Sequence, residues 1–158
     1  MEFSTSNFKA EHLLLYKDEC PTDEYLYKLH DFKEGFQKFV DESDKFMITC
    51  VQSYNQKTTP PTMSFMMFYR IKDNVLNCEI QNPGQVVMNF EICEALKKSY
   101  RGDWSEITED LKQLEKDMKE QGYHFSYTYM VQYENQGELC MDIYVAKEGQ
   151  TKIDDIIL

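Results

Sequence analysis

Val51-Gln52-Ser53-Tyr54-Asn55-Gln56 and Val131-Gln132-Tyr133-Glu134-Asn135-Gln136 agree at four of six positions, and each frame closes a run rich in strand-forming residues. The frames lie about 80 residues apart, which points to an internal duplication. The elements around them repeat as well. Ahead of the first frame, Asn7 to Tyr16 alternates into an apolar finish at Leu13-Leu14-Leu15 and reads as a strand. Pro21-Thr22-Asp23-Glu24 then supplies a helix start, with Thr22 as a hydroxyl cap and two acidic residues at the positive end of the dipole. Leu26, Leu29, Phe32, Phe36, Phe39 and Val40 follow at helical spacing, which predicts a helix from about Thr22 to Asp41.

Phe46 to Tyr54 and Met63 to Ile71 read as a hairpin across a long, proline-stiffened loop, Asn55 to Thr62. Val75 to Ile80 reads as a further strand, and after the break at Asn82-Pro83-Gly84 the segment Gln85 to Ile92 resumes in alternation. Cys93 to Tyr100 is ambiguous between a loop and one or two helical turns. A second helix follows, with Asp103 or Ser105 as cap, Ile107, Leu111, Leu114 and Met118 as its buried stripe, and Gly122 past its end. Tyr123 to Tyr133 and Glu138 to Ala146 form the last hairpin, turning at Asn135-Gln136-Gly137. Each half thus spells strand, helix, strand, strand. A βαββ unit has one apolar sheet face and needs a partner to complete its sheet. The expected fold is α+β: tandem βαββ repeats with pseudo-two-fold symmetry, both helices on one side, and a concave strand surface between repeats. Residues 1–149 make a single domain of two repeats, about 1–74 and 75–149, and 150–158 is an apolar and acidic tail that docks on the domain or meets a partner.

With 158 residues, 42% of them hydrophobic, the chain has material for one packed core. Lys and Arg number 17 against 28 Asp and Glu, a formal charge of −11 that repels polyphosphate, so nucleic acid is not an expected partner. Cationic small molecules and basic protein surfaces suit that field better. Cys20, Cys50, Cys78, Cys93 and Cys140 stand singly, a pattern of reduced thiols that agrees with a cytoplasmic location. No signal peptide and no membrane span is expected.

Pro83-Gly84-Gln85-Val86-Val87-Met88, Tyr100-Arg101-Gly102-Asp103-Trp104-Ser105-Glu106-Ile107, Gly122-Tyr123 and Met141-Asp142-Ile143-Tyr144-Val145 resemble, over residues 76–147, the gyrase-inhibitor-like (GyrI-like) effector-binding domains. The resemblance implies a pair of βαββ units with a groove that takes amphipathic, often cationic compounds, as in bacterial multidrug-responsive regulators. Ala146 stands where the family usually ends its strand with Pro, and Tyr127 near where many members carry a ligand-reading Glu. Some relatives hydrolyse strained electrophiles with a Glu and a Tyr. In length and texture the chain is also similar to small proteins of Gram-positive bacteria encoded beside type VII secretion toxin genes.

Alternation in the last strand separates Leu139, Met141, Ile143 and Val145, expected under a helix, from Cys140, Asp142 and Tyr144, expected to face the groove. On the ligand-binding reading, Asp142 with Tyr127, Tyr129, Tyr144 and Trp104 holds a cation by charge and by ring quadrupoles, with Glu134 and Glu79 as further carboxylates. On the structural reading, Asp142 is a solvated residue that discourages edge pairing. The methionines read either as adaptable ligand contacts or as core filling. His12, His30 and His124 sit on different elements without a nucleophile or zinc pattern, so no catalytic residue, metal or cofactor is expected. The expected function is non-enzymatic binding of a small amphipathic ligand, the alternative a protein-interaction adaptor or chaperone associated with type VII secretion toxins.

Overall fold

The computed structural model describes residues 2–41 and 45–158, with Asn77 described by its backbone alone. Its elements run β1 (Ser4–Pro21), α1 (Tyr25–Phe36), β2 (Met47–Asn55), β3 (Thr62–Arg70), β4 (Gly84–Arg101), α2 (Ile107–Glu120), β5 (Phe125–Asn135), β6 (Glu138–Lys147), β7 (Thr151–Ile153) and β8 (Ile156–Ile157). All pairings are antiparallel. The strand order β1-β3-β2-β5-β6-β4 closes on itself through β1–β4, and β7 and β8 extend outward from β4. The protein is therefore an α+β molecule with a closed six-stranded antiparallel barrel, two outer strands and two helices.

Alternation along the strands builds the layers. Leu13, Leu15, Met66, Phe68, Ile48, Phe90, Tyr129, Val131 and Tyr144 point into the barrel. Their neighbours point out: Leu14, Tyr16, Phe65, Met67 and Tyr69 pack with Phe32, Leu29 and Phe36 of α1. Tyr100, Ile143 and Val145 pack with Ile107, Leu111, Leu114 and Met118 of α2. Each helix thus covers its own patch of the outer wall. The expected concave strand surface with both helices on one side is not formed, because β1 and β4 pair from Ser4↔Lys97 to Tyr16↔Gly84 and shut the sheet. A closed barrel has no long edge left on that side.

Several local expectations are corrected. Cys93 to Tyr100 is neither loop nor helix but the second half of β4; Ala95 faces the interior and Leu96 faces α2, so burial on both faces erases the alternation. Val75 to Ile80 is no strand: Asn77–Glu79 make a 3-10 turn, closed by the Glu79 carboxylate accepting the Leu76 N–H at 2.6 Å. Leu26, expected on the buried stripe of α1, is 75% exposed. Thr22 lies in a 3-10 turn and does not cap α1. The frames at Val51 and Val131 do not occupy equivalent places throughout, since Val131 lies in the interior while Val51 is 47% exposed. A bulge between Val51 and Ser53 intervenes. The turn at Gln136 (φ 53°) and Gly137 (φ 78°) agrees with the expected tight hairpin, because two successive left-handed residues suit a two-residue connection.

The tail docks inward. Ile153, paired opposite Phe90, is buried in the barrel cluster, and Leu158 packs partly against it. The Asp154 carboxylate accepts the N–H groups of Met88 (3.0 Å) and Asn89 (2.8 Å).

Candidate functional site

β6 carries the expected acidic position and presents it as alternation requires: Met141, Ile143 and Val145 lie under α2, while Tyr144 lies in the interior. Leu139, expected with the first set, is exposed. Asp142 is 7% exposed. One of its oxygens accepts the Tyr133 hydroxyl at 3.0 Å, and the other lies 3.6 Å from the Lys97 ammonium. Lys97 also stands over the Tyr144 ring, 5.5 Å from its centroid. The Asp142 carboxylate and the Tyr144 ring thus flank a cation, and that cation is the chain's own lysine from the neighbouring strand. Burial, followed by the charge of Asp142, pushes the Tyr133 and Tyr144 hydroxyls up to about 12.

Tyr129 is paired opposite Tyr144 and fully buried, edge-on to Phe90 at 5.3 Å and to Tyr127 at 6.4 Å. Its hydroxyl and that of Thr151 are both shut away from solvent, and among the described residues neither has a hydrogen-bond partner of good geometry. With Phe68, Phe90, Ile48 and Leu13 fully buried beside it, the barrel is filled by side chains. The structure therefore brings Tyr129, Asp142 and Tyr144 to the interior, with Tyr127 half-buried at its margin. It does not bring Trp104, which packs with the α2 cluster outside the barrel. Glu134 lies apart too, in a surface ion pair with Lys45 at 2.9 Å, and Glu79 closes its own turn.

Sequence reasoning missed a second place. Among the described residues, β2 and β5 pair through Met47↔Gln132, Ile48↔Val131 and Thr49↔Met130 alone. Beyond that point lies a cavity of about 360 Å³ lined by Val51 and Gln52 of β2, Phe125 to Thr128 of β5, Val145, and Leu111, Leu114 and Glu115 of α2. Both strands bulge there, β2 between Val51 and Ser53 and β5 between Phe125 and Thr128. A bulge adds twist to its strand, and the two strands part where both of them bulge. Only Tyr127 of the expected site residues lines this cavity.

Among the described residues, no group of His, Cys, Asp and Glu is arranged to hold a metal ion. His30 pairs with Glu34 on the exposed face of α1 at 3.2 Å, and His12 belongs to β1. All five cysteines are free thiols; burial pushes that of Cys50 up to about 12, which makes it unreactive. Among the described residues no helix is long and apolar enough to cross a membrane. No protein-family model matches the chain, and no curated protein matches it.

Proposed function

We propose that the protein is a non-enzymatic binding module that acts through protein–protein contact, as an adaptor or chaperone. The observation that carries this reading is the filled barrel. An enclosed ligand chamber needs space between inward side chains, and here aromatic and aliphatic residues occupy it while Lys97 takes the cation position. Recognition then falls to the outer surface. Leu26 (75% exposed), Tyr27 (72%), Leu76 (63%) and Ile157 (67%) present large apolar groups there, on a molecule of charge −11 that favours basic partners.

A second reading, binding of a small amphipathic ligand, draws on the cavity between β2 and β5, where apolar walls, Tyr127 and one carboxylate, Glu115, converge. The finer fold proposal is two βαββ units of the GyrI-like kind. The pairing scheme supports it: β1·β3 and β2·β3 in the first half correspond to β4·β6 and β5·β6 in the second, with β1·β4 and β2·β5 joining them. So do His12 (φ 56°) and Glu94 (φ 52°), left-handed residues that kink β1 and β4 just before each pairs with its own hairpin at Leu13↔Arg70 and Leu96↔Val145.

Photo-cross-linking tests the functional reading. With a photoreactive residue at position 27 or 51 in native cells, discrete protein adducts are expected, and a toxin encoded beside the gene is the first partner to look for. Absence of adducts at both positions, together with a raised melting temperature in the presence of hydrophobic cations, would replace protein contact by small-ligand binding.

A further inference from the structure

We infer that the parted seam between β2 and β5 accepts an extended segment of a partner protein as an added strand, and that this segment is apolar with basic residues. The inference rests on the protein-contact reading and deepens it.

Two sheet edges face the seam. Among the described residues, β2 continues beyond Thr49 to Asn55 with β3 as its one strand partner, and before Met130, β5 runs from Phe125 with β6 as its one strand partner. Each strand therefore has one side on which backbone N–H and C=O groups find no neighbouring strand. Such edges are templates for another extended chain. The opposite seam of the same barrel, β1 with β4, is paired from Ser4↔Lys97 to Tyr16↔Gly84, against three pairs between β2 and β5.

The residues along the two edges do not defend them. Natural sheets guard open edges with lysine, proline or inward charges. Here Cys50-Val51-Gln52-Ser53-Tyr54 and Phe125-Ser126-Tyr127-Thr128 carry no charge and no proline, and Val51 and Tyr54 are exposed. Five residues of β2 offer an edge of about 17 Å at roughly 3.3 Å per residue, enough for a short strand.

The lining indicates what such a segment must bring. On the outer side, alternate side chains of an added strand meet Leu111, Leu114 and Phe125, which calls for apolar residues. Glu115 is the one charged residue among those lining the cavity, and the whole chain is strongly acidic, which calls for Lys or Arg between them. Backbone hydrogen bonds supply the affinity in this mode, and the side-chain pockets supply the choice of sequence.

The test uses the full chain and a labelled peptide of about six residues in which Val and Lys alternate, at physiological salt. Fluorescence anisotropy should register saturable binding. The same peptide N-methylated at alternate amides keeps its charge and loses its edge hydrogen bonds, and should bind about tenfold or more weakly. The variant V51R/E115K, altered at the seam and melting as the unaltered protein does, should lose binding by a similar factor. Hydrogen exchange should slow at 50–54 and 125–128 when the peptide is bound.

Equal binding of the methylated peptide would reduce the effect to charge attraction and overturn the inference, as would no binding at all or indifference to V51R/E115K. Self-association abolished by Val51→Arg would assign the seam to a second copy instead. Cross-linked adducts from position 27 without any from position 51 would leave protein contact standing and remove the seam from it. No adducts from either would sink both.

Discussion

Asp142 is anchored on two sides, and the asymmetry of its partners sets the cost of changing it. Replacing the carboxylate leaves Lys97 and Tyr133 without their acceptor, whereas Lys97→Met keeps the packing of the lysine stem and leaves Asp142 bonded to Tyr133. Asp142→Ala should therefore lower stability by about 1–3 kcal/mol and Lys97→Met by less than about 1 kcal/mol in denaturant unfolding. Truncation to Lys97→Ala vacates the cation position beside Tyr144, and n-butylammonium should raise the melting temperature of that variant and leave the unaltered protein unmoved.

The tyrosines give a pH dependence of fixed sign. The folded-state values of Tyr133 and Tyr144, about 12, lie above the ordinary 10, because burial and then the Asp142 charge disfavour the phenolate. Their contribution is fully present below pH 10 and is lost as pH rises from 10 to about 12. Unfolding free energy measured across that window should fall with pH, and Tyr144→Phe should make the fall shallower.

At the scale of elements, the C-terminal strands behave as part of the barrel. Ile153 lies opposite Phe90 and inside its cluster, so Ile153→Ala should cost about 2–4 kcal/mol in chemical unfolding, as truncation of a buried Ile does. Ile156→Ala, on an exposed side chain of β8, should change stability by less than about 0.5 kcal/mol.

The elements themselves differ in how far the sequence reveals them. α2 and the β5–β6 hairpin are legible because one face of each is buried and the other wet, and turn residues mark their ends. The inward and outward faces of β6 follow from alternation alone. The second half of β4 escapes this reading, since the interior takes Ala95 and the underside of α2 takes Leu96. Leu26 misleads for another reason: in the first turn of α1 it is Tyr25 that turns inward, 4.9 Å from the Phe65 ring, so the next residue falls on the solvent side of the helix. The Asp142–Tyr144 cluster is legible as a grouping of residue types. That Lys97 completes it depends on β4 lying beside β6, a pairing that no local pattern announces.

For the whole molecule, the same distinction holds between pieces and closure. Repetition of strand, helix, strand, strand is written in the sequence, but whether the two sheets stay open or meet is decided by long-range pairing of β1 with β4. Past the kinks at His12 and Glu94 each long strand keeps its pairing with the neighbouring half for a few residues and takes up its own hairpin on the other side. Closure then packs the interior with buried aromatic and aliphatic side chains, and the weak side of the ring, β2 against β5, becomes the place where the wall is still available.

The way the ring is joined bears on how it is made. The first half alone has β1 and β2 as outer strands, and the second has β4 and β5, so each supplies the two borders that the other lacks. The covalent link between them runs through exposed residues at Lys72, Asp73 and Asn74. Chains 1–73 and 74–158, produced separately, should aggregate or remain unfolded alone and recover β-sheet circular dichroism when refolded together; a stable monomer from either would mean that closure is not what holds its sheet. Success would make the barrel a lock of two matching parts, separable by a protease cut and reassembled by mixing, and so a natural split reporter whose signal depends on both parts being present in one compartment.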